Sequence, residues 1–199
     1  MMQIAAVCVG LSAAGIGGTA LAGHGPAHQL EVCCAWNSSL EDGKLTYRIS
    51  GGDVTVQGAV RGAIEDWDVA LNGLVLDEVV GNTPRDIDVR FKRGGGTTQG
   101  LALRSFDRAG FVRSVKVTIS GAAFGAANNL ATIAEIARHE VGHALGVGHA
   151  NFDDLMDPTV GGSAVISGCD TAGVEAANRW KLVDGSGTPA PPLVDHVDC

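Results

Sequence analysis

Apolar residues follow a helical period in an early part of the chain. Between residues 54 and 71 they return every three or four positions, which places them on one face of a helix. This face consists of Val56, Val60, Ile64, Trp67 and Leu71. The pattern predicts an amphipathic helix that packs this face against a core.

Two later segments are also predicted to be helical. The first runs from about Leu130 to Leu145 and ends at Gly146, with Asn128 or Asn129 as its N-cap. The second has Asp170 or Thr171 as its cap and is predicted to carry Val174, Ala177, Trp180 and Lys181.

Five segments alternate apolar and polar residues or are rich in strand-forming residues, and turn-forming residues separate them. The predicted strands are Leu45–Ile49, Leu74–Val80, Asp86–Phe91, Leu101–Phe106 and Val112–Ile119. Together with one early and two late helices, they predict an α+β fold.

The composition is that of one globular domain with short extensions. The chain has 199 residues, of which 45% are apolar and 18% are charged. Its formal net charge is −8, and no run of lysine or arginine occurs. Because nucleic-acid binding needs clustered basic side chains, we expect no nucleic-acid partner.

The first 22 residues have the composition of a secretory signal peptide. No charged side chain occurs from Gln3 to Ala22, and Ala20 and Ala22 are the small residues expected before a cleavage site. The alternative is an uncleaved membrane anchor, but the apolar stretch is barely long enough and is interrupted by glycines. We therefore expect a secreted protein without stable membrane insertion after cleavage.

Four cysteines would remain in the mature chain, because Cys8 lies in the leader. An even number in an exported protein favours disulfides over a metal site, for which no C-x-x-C spacing exists. Cys33 and Cys34 are neighbours in sequence, and neighbouring cysteines rarely pair with each other. We predict that these two reach separately to Cys169 and Cys199, in a connectivity that the sequence leaves open.

The strongest chemical signal is the segment His139-Glu140-Val141-Gly142-His143, which has the pattern H-E-x-x-H. On a helix, the two histidines lie one turn apart on the same face, so both imidazoles can bind one Zn²⁺. Glu140 is rotated by about 100° from the first histidine. From there its carboxylate can act on a zinc-activated water as the general base without binding the metal.

A third ligand follows at the spacing H-E-x-x-H-x-x-G-x-x-H. Gly146 can adopt the left-handed conformation that ends a helix and redirects the chain. His149 can then bind the same ion, whereas a continued helix would carry it about 9 Å beyond His143. Three protein ligands leave one position open, which is typical of a catalytic zinc site. Ordinary core or surface histidines are the disfavoured alternative.

The extended motif resembles that of the metzincins, and further residues resemble their matrixin branch. The segment 155–158 is similar to the Met-turn, in which Met156 would lie beneath the zinc; an ordinary core methionine is the alternative. Other matching segments occur in the family's order, namely Trp36, Leu45–Ile49, Trp67 and Asp86–Phe91. The resemblance extends over about residues 36–183.

This resemblance implies a twisted five-stranded mixed sheet with three helices and a zinc cleft that cleaves peptides. It also implies that Gly100–Leu103 is the edge strand that binds substrate backbone, through Leu101 and Ala102. Glu135 would line the pocket for the residue after the scissile bond. Its alternatives are an outward side chain paired with Arg138, or a carboxylate that favours Lys or Arg in the pocket or admits water there.

The chain departs from the family pattern at several positions. Ala150 stands where matrixins have Ser, and Asp157 stands where Tyr is common. No histidine lies between residues 28 and 139, so one catalytic zinc is expected and no second, structural zinc.

Calcium binding by Asp107 is an alternative to a role of this residue in a turn. The P-R-C-G-x-P-D latency motif does not occur. For Cys33 and Cys34, contact with zinc in a latent form is the disfavoured alternative to a disulfide.

The sequence therefore predicts a signal peptide (1–22), a short amino-terminal segment (23–35), a catalytic domain (36–183) and a Gly/Pro-rich carboxy-terminal strap (184–199). The predicted function is a secreted zinc-dependent endopeptidase that acts on proteins or peptides. The alternatives are a zinc-stabilised binding module without activity, or a peptidase restricted to one partner.

Overall fold

The computed structural model describes residues 28–92, 98–120, 130–159 and 164–199. Residues 1–22, which are predicted to be a signal peptide, and the predicted caps Asn128 and Asn129 lie outside these ranges. The strands are β1 (Gln29–Val32), β2 (Lys44–Ser50), β3 (Val75–Glu78), β4 (Ile87–Lys92), β5 (Gly100–Phe106), β6 (Val112–Ser120), β7 (Val147–Ala150) and β8 (His196–Asp198). The helices are α1 (Val54–Ala70), α2 (Leu130–Leu145), α3 (Gly168–Ala177) and α4 (Arg179–Leu182), with a 3-10 turn at Ser38–Leu40.

All five predicted strands form one mixed sheet in the order β3-β2-β4-β6-β5. β2, β3, β4 and β6 pair in parallel, and β5 pairs antiparallel with β6. Alternate residues of the central strands, such as Val89 and its partner Val117, are fully buried. The predicted α+β fold with a five-stranded mixed sheet is confirmed. β5 ends the strand order, so its outer edge has no partner strand among the described residues.

Helix α1 forms where the apolar stripe predicted it. The Asp53 side chain accepts hydrogen bonds from the Thr55 and Val56 amides and so caps the first turn. The buried face packs against α2 and the sheet, which places the core between the helices and the strands. Trp67 also donates from Nε1 to the Arg138 carbonyl at 2.9 Å, so α1 holds α2 by a hydrogen bond as well as by packing.

A second sheet, in the order β7-β1-β8, was not predicted. It joins the segment before Cys33 and the carboxy-terminal strap, which both lack a recognisable period. The strands are antiparallel, with Leu30 opposite Val197 on one side and Ala150 on the other. Strands of three or four residues are too short to show a period of two, so only pairing across the whole chain identifies them.

The third predicted helix is divided in the structure. Ser167, not Asp170 or Thr171, is the N-cap of α3, and Asp170 is its capping-box partner. The helix ends at Ala177 with Asn178 as its C-cap, so Trp180 and Lys181 lie in the separate turn α4. The Asn178 side chain donates to the Leu145 carbonyl at 2.7 Å, which fixes this residue to the end of α2.

The predicted disulfide partners of Cys33 and Cys34 are wrong. The structure joins Cys169 to Cys199, and Cys33 to Cys34. The Cys199 amide donates to the His28 carbonyl, five residues before Cys33. Along a strand this separation is about 17 Å, which is beyond the reach of a disulfide. The register of β8 on β1 therefore directs Cys199 to α3 instead.

Within the described ranges, no helix combines the length and the apolar character needed to cross a bilayer.

Candidate metal centre

Three histidines from two elements meet at one point. One ring nitrogen from each of His139, His143 and His149 lies within 4.8 Å of the others. Among the described residues this is the only group of three or more His, Cys, Asp or Glu side chains arranged to hold a metal ion. The structure thus brings together the three residues that the motif predicted.

The two helical histidines are oriented by backbone carbonyls. His139 Nδ1 donates to the Leu155 carbonyl at 2.8 Å, and His143 Nδ1 donates to the Val147 carbonyl at 3.0 Å. A carbonyl can only accept, so these bonds fix the tautomer in which Nε2 carries the lone pair. The Nε2 atoms of all three histidines are buried without a hydrogen-bond partner. Three such nitrogens form the donor set that Zn²⁺ prefers.

The position of His149 depends on close backbone approach at two glycines. Gly146 has φ of +112°, and a side chain there would collide with the Cys34 carbonyl and approach Ala177 Cβ to 2.9 Å. Gly148 lies against Glu31, whose Cβ would be 2.6 Å from an added Cβ. These contacts let the chain leave α2 and enter β7, which pairs with β1 and carries His149 to the metal position.

Glu140 lies beside the histidines and is fully buried. Neither of its carboxylate oxygens has a hydrogen-bond partner. Gly100, the first residue of β5, lies directly over this carboxylate, and an added Cβ would be 2.7 Å from Glu140 Cδ and Cγ. The start of the edge strand therefore has to be a glycine for Glu140 to keep its place.

Met156 packs directly beneath α2. It is fully buried, and an added Cβ at Gly142, the residue before His143, would be 2.6 Å from its Sδ. The Met156 carbonyl accepts from the Ala150 amide at 2.9 Å, which ties the loop to the end of β7. Met156 therefore packs against the helix turn between His139 and His143.

Side chains from distant parts of the chain cap the end of α2. Trp36 Nε1 donates to the Ala144 carbonyl at 2.9 Å, and Asn178 donates to the Leu145 carbonyl. Arg104 Nε donates to the His143 carbonyl at 2.8 Å. Sequence analysis missed Arg104 and Asn178 in this role, because no local pattern marks a cap supplied from 39 or 33 residues away.

Burial sets the charge states of the site. It lowers the pKa of His139 to about 4, that of His143 well below its ordinary value, and it also lowers the pKa of His149. It raises the pKa of Glu140 to about 8, an effect that Arg104 opposes. Neutral imidazoles are the form that binds a metal, so burial favours the form of the three histidines that could hold one.

An open cavity of about 1040 Å³ adjoins His149 and runs along β5. Ala102 lines it, together with Leu103 and Phe106, whose side chains are about half exposed. Leu101, the other edge-strand residue that the resemblance named, is half-buried and pairs with Thr118 of β6. The cavity is thus lined by β5 on one side and reaches the candidate metal centre at His149.

Glu135 does not have the outward position that was one of its two alternatives. Its side chain is 3% exposed, and Arg138 instead pairs with Asp66 at 2.5 Å.

The Asp107 carboxylate accepts from the Ala109 and Phe111 amides, which is a turn role.

A family model described as matrixin matches residues 35–177. The chain belongs to the matrixin family. This matrixin is accordingly a zinc metallopeptidase, and the three-histidine cluster fits the metal that the family implies. A comparison with curated protein sequences finds no significant match.

Solved structures are similar to this chain at low sequence identity. Myroilysin superposes with a TM-score of 0.50 at 14% identity, covering 69% of this chain and 80% of that one. Archaemetzincin from Methanopyrus kandleri gives 0.45 at 13% identity, covering 68% and 94%. High choriolytic enzyme 1, a hatching-enzyme zinc protease from Oryzias latipes, gives 0.36 at 16% identity, covering 59% and 50%. At 14% identity, the likeness to myroilysin concerns the fold alone.

Proposed function

We propose that this matrixin is a secreted, zinc-dependent endopeptidase in which His139, His143 and His149 bind the metal and Glu140 is the general base. The observation that carries the proposal is the group of buried atoms without partners: three imidazole Nε2 atoms and both Glu140 oxygens. Buried polar atoms nearly always have partners in folded proteins. Their concentration at one place supports a metal ion and a reacting group there.

When bound, Zn²⁺ lowers the pKa of a water ligand and polarises the scissile carbonyl. The rest of the chemistry is assigned to Glu140. A carboxylate oxygen of Glu140 accepts a proton from the attacking water and then delivers it to the leaving amine. Met156, packed under Gly142, supports the helix turn that carries the ligands.

The outer edge of β5, which has no partner strand among the described residues, supports an extended peptide as substrate. A substrate that adds to this edge would pair with the backbone at Leu101 and Ala102, and the adjoining cavity would hold its side chains. Strand addition uses the backbone of an internal segment and does not require a chain end. This supports an endopeptidase.

The experiment that tests the function compares the wild type with Glu140→Ala on casein and on proteome-derived peptides. We expect turnover to fall by about 10²–10⁴-fold, since that is what a general base contributes. Zinc content should stay at one ion per chain, because Glu140 is not a ligand. Equal turnover in the two proteins would overturn the assignment.

A second variant, Gly100→Ala, tests the carboxylate without removing it. The added methyl group displaces the Glu140 side chain, so we expect kcat to fall by about 10²-fold while the zinc content is unchanged. Gly62→Ala in α1 is the matched control, because a Cβ there meets nothing within 4 Å. If Gly100→Ala is as active as this control, the arrangement of β5 over Glu140 has no catalytic role.

We also propose that Glu135 contributes to the pocket for the residue after the cut. Its burial on the helix face one turn before His139 supports this position. A carboxylate there would favour Lys or Arg in the substrate, or admit water and broaden the preference. Cleavage-site profiling of wild type and Glu135→Leu separates these outcomes, and identical profiles would exclude a role in specificity.

Export is supported by the leader and by the pairing of all four remaining cysteines. We expect the secreted chain to begin at Gly23 and to contain no free thiol. Intact-mass measurement and alkylation without reduction test both points. Retention of Met1, or four alkylated cysteines, would contradict export by this route.

A further inference from the structure

Arg104 connects the edge strand to the end of the helix that carries His139 and His143. Its guanidinium lies on β5 and reaches two backbone carbonyls near the carboxyl end of α2. Nε donates to the His143 carbonyl at 2.8 Å, and Nη2 donates to the Val147 carbonyl at 2.7 Å. A third nitrogen, Nη1, lies 3.4 Å from Cys33 Sγ. One side chain therefore joins β5, α2 and the start of β7.

The Val147 carbonyl has a second donor. It accepts from His143 Nδ1 at 3.0 Å and from Arg104 Nη2 at 2.7 Å. The carbonyl that orients the His143 ring is thus held in place by Arg104. Val147 also begins β7, two residues before His149, so the same contact fixes the strand that delivers the third histidine.

The charge of Arg104 suits the carbonyls but not the metal. The end of a helix carries a partial negative charge from its unpaired carbonyls, and a cation is stabilising there. A guanidinium can donate to two carbonyls at once because its N–H groups are held in one plane, and a lysine ammonium does not reproduce this geometry. A positive charge near Zn²⁺, however, repels the ion. Geometry and charge therefore predict opposite effects on metal binding.

We propose that Arg104 is a positioning residue that orients His143 and the His149 strand for zinc binding, and that this geometric effect outweighs its charge repulsion. The inference rests on the proposed zinc site. β5 would then have a second function besides pairing with substrate, because Arg104 fixes the spacing between this strand and α2. Partners that orient metal-binding histidines typically contribute 10–100-fold to metal affinity.

The test measures the zinc dissociation constant by competition with a chelator for the wild type, Arg104→Gln and Arg104→Lys. Arg113→Gln is the matched control, because Arg113 is an exposed arginine on the neighbouring strand β6. We expect Arg104→Gln to bind zinc about 10–100-fold more weakly. Arg104→Lys should also bind zinc more weakly than the wild type, since it keeps the positive charge that repels the ion and loses the planar donors that hold the two carbonyls. The control should match the wild type.

The visible spectrum of the Co²⁺-substituted proteins provides an independent measurement of ligand geometry. We expect altered d–d bands in both Arg104 variants and unchanged bands in Arg113→Gln. If Arg104→Gln does not fold, Arg104→Lys alone decides, because it preserves the charge and most of the packing. Wild-type affinity and spectrum in the Arg104 variants, or tighter zinc binding by Arg104→Gln, would overturn the inference. A wild type that binds no zinc would instead refute the proposed function.

Discussion

The proposed zinc ligands come from two regions that are built differently. His139 and His143 lie on α2, a helix of 16 residues that packs on α1 and the five-stranded sheet. His149 lies on β7, a strand of four residues in the sheet with β1 and β8. This sheet and α3, which packs on it, form the chain-end region. The first region is specified by local patterns that repeat over many residues. The second is held by pairing between segments far apart in sequence, so the site joins a locally specified part to a globally specified one.

The largest effect is expected at Gly146, where the two regions meet. Gly146→Ala forces a side chain into a positive-φ position and against Ala177 Cβ. We expect a loss of about 3–5 kcal/mol in the free energy of unfolding, with weaker zinc binding because β7 is displaced. Urea unfolding with and without a chelator measures both. A variant as stable as the wild type would show that the junction is not strained by a side chain.

The disulfide between Cys169 and Cys199 holds the chain-end region together. Its two cysteines are 30 residues apart, so replacing both with Ser should remove about 2–4 kcal/mol. The loss should be local: amide exchange should accelerate in β1 and β8 before it does in α1 or β4. Peptide mapping under non-reducing conditions is the check on the pairing. A linked peptide that joins Cys33 or Cys34 to either of these cysteines would contradict the structure.

Asp170 gives the chain-end region a pH dependence of its own. Burial, with a contribution from Asp154, raises the pKa of Asp170 from 3.8 to about 6. Between these two pH values the carboxyl group of Asp170 is protonated in the folded state and ionised in the unfolded state. Its contribution to the free energy of unfolding therefore decreases as the pH rises through this window. The loss of stability is complete above the pKa of the folded state, and no stability is lost below the pKa of the unfolded state.

The measurement is the difference in unfolding free energy between wild type and Asp170→Asn at pH 7 and at pH 4. We expect the difference to move in favour of the wild type by about 2–3 kcal/mol at the lower pH. Effects of other carboxylates and of zinc release are common to both proteins and cancel. A difference that is constant over this range would show that Asp170 has an ordinary pKa.

The smallest effect is expected in the locally specified region. Gly58 lies in α1, where an added Cβ meets nothing within 4 Å. Gly58→Ala should therefore raise the unfolding free energy by about 0.5–1 kcal/mol through helix propensity alone. The same chemical change thus has opposite signs at Gly58 and Gly146. If both variants lose stability equally, the distinction between the two regions is wrong.

The sequence by itself determined the long, periodic elements and the placement of the first two proposed ligands. The stripe of α1, the bounds of α2 and the five strands of the main sheet each repeat a pattern over enough residues to be recognised. His139 and His143 follow from helix geometry, and Gly146 follows from the need to leave the helix before His149. These inferences hold because each depends on neighbours within about one helical turn or one strand.

Only the tertiary structure decided how the chain ends are used. The pairing of β1 with β7 and β8, the partners of Cys169 and Cys199, and the division of the last helix at Asn178 involve contacts across 30 or more residues. Arg104 belongs to this group, since its contacts lie 39 and 43 residues away. The physical reason is that an unpaired carbonyl or a short strand accepts any partner of suitable geometry. The partner is therefore selected by where the whole chain places it.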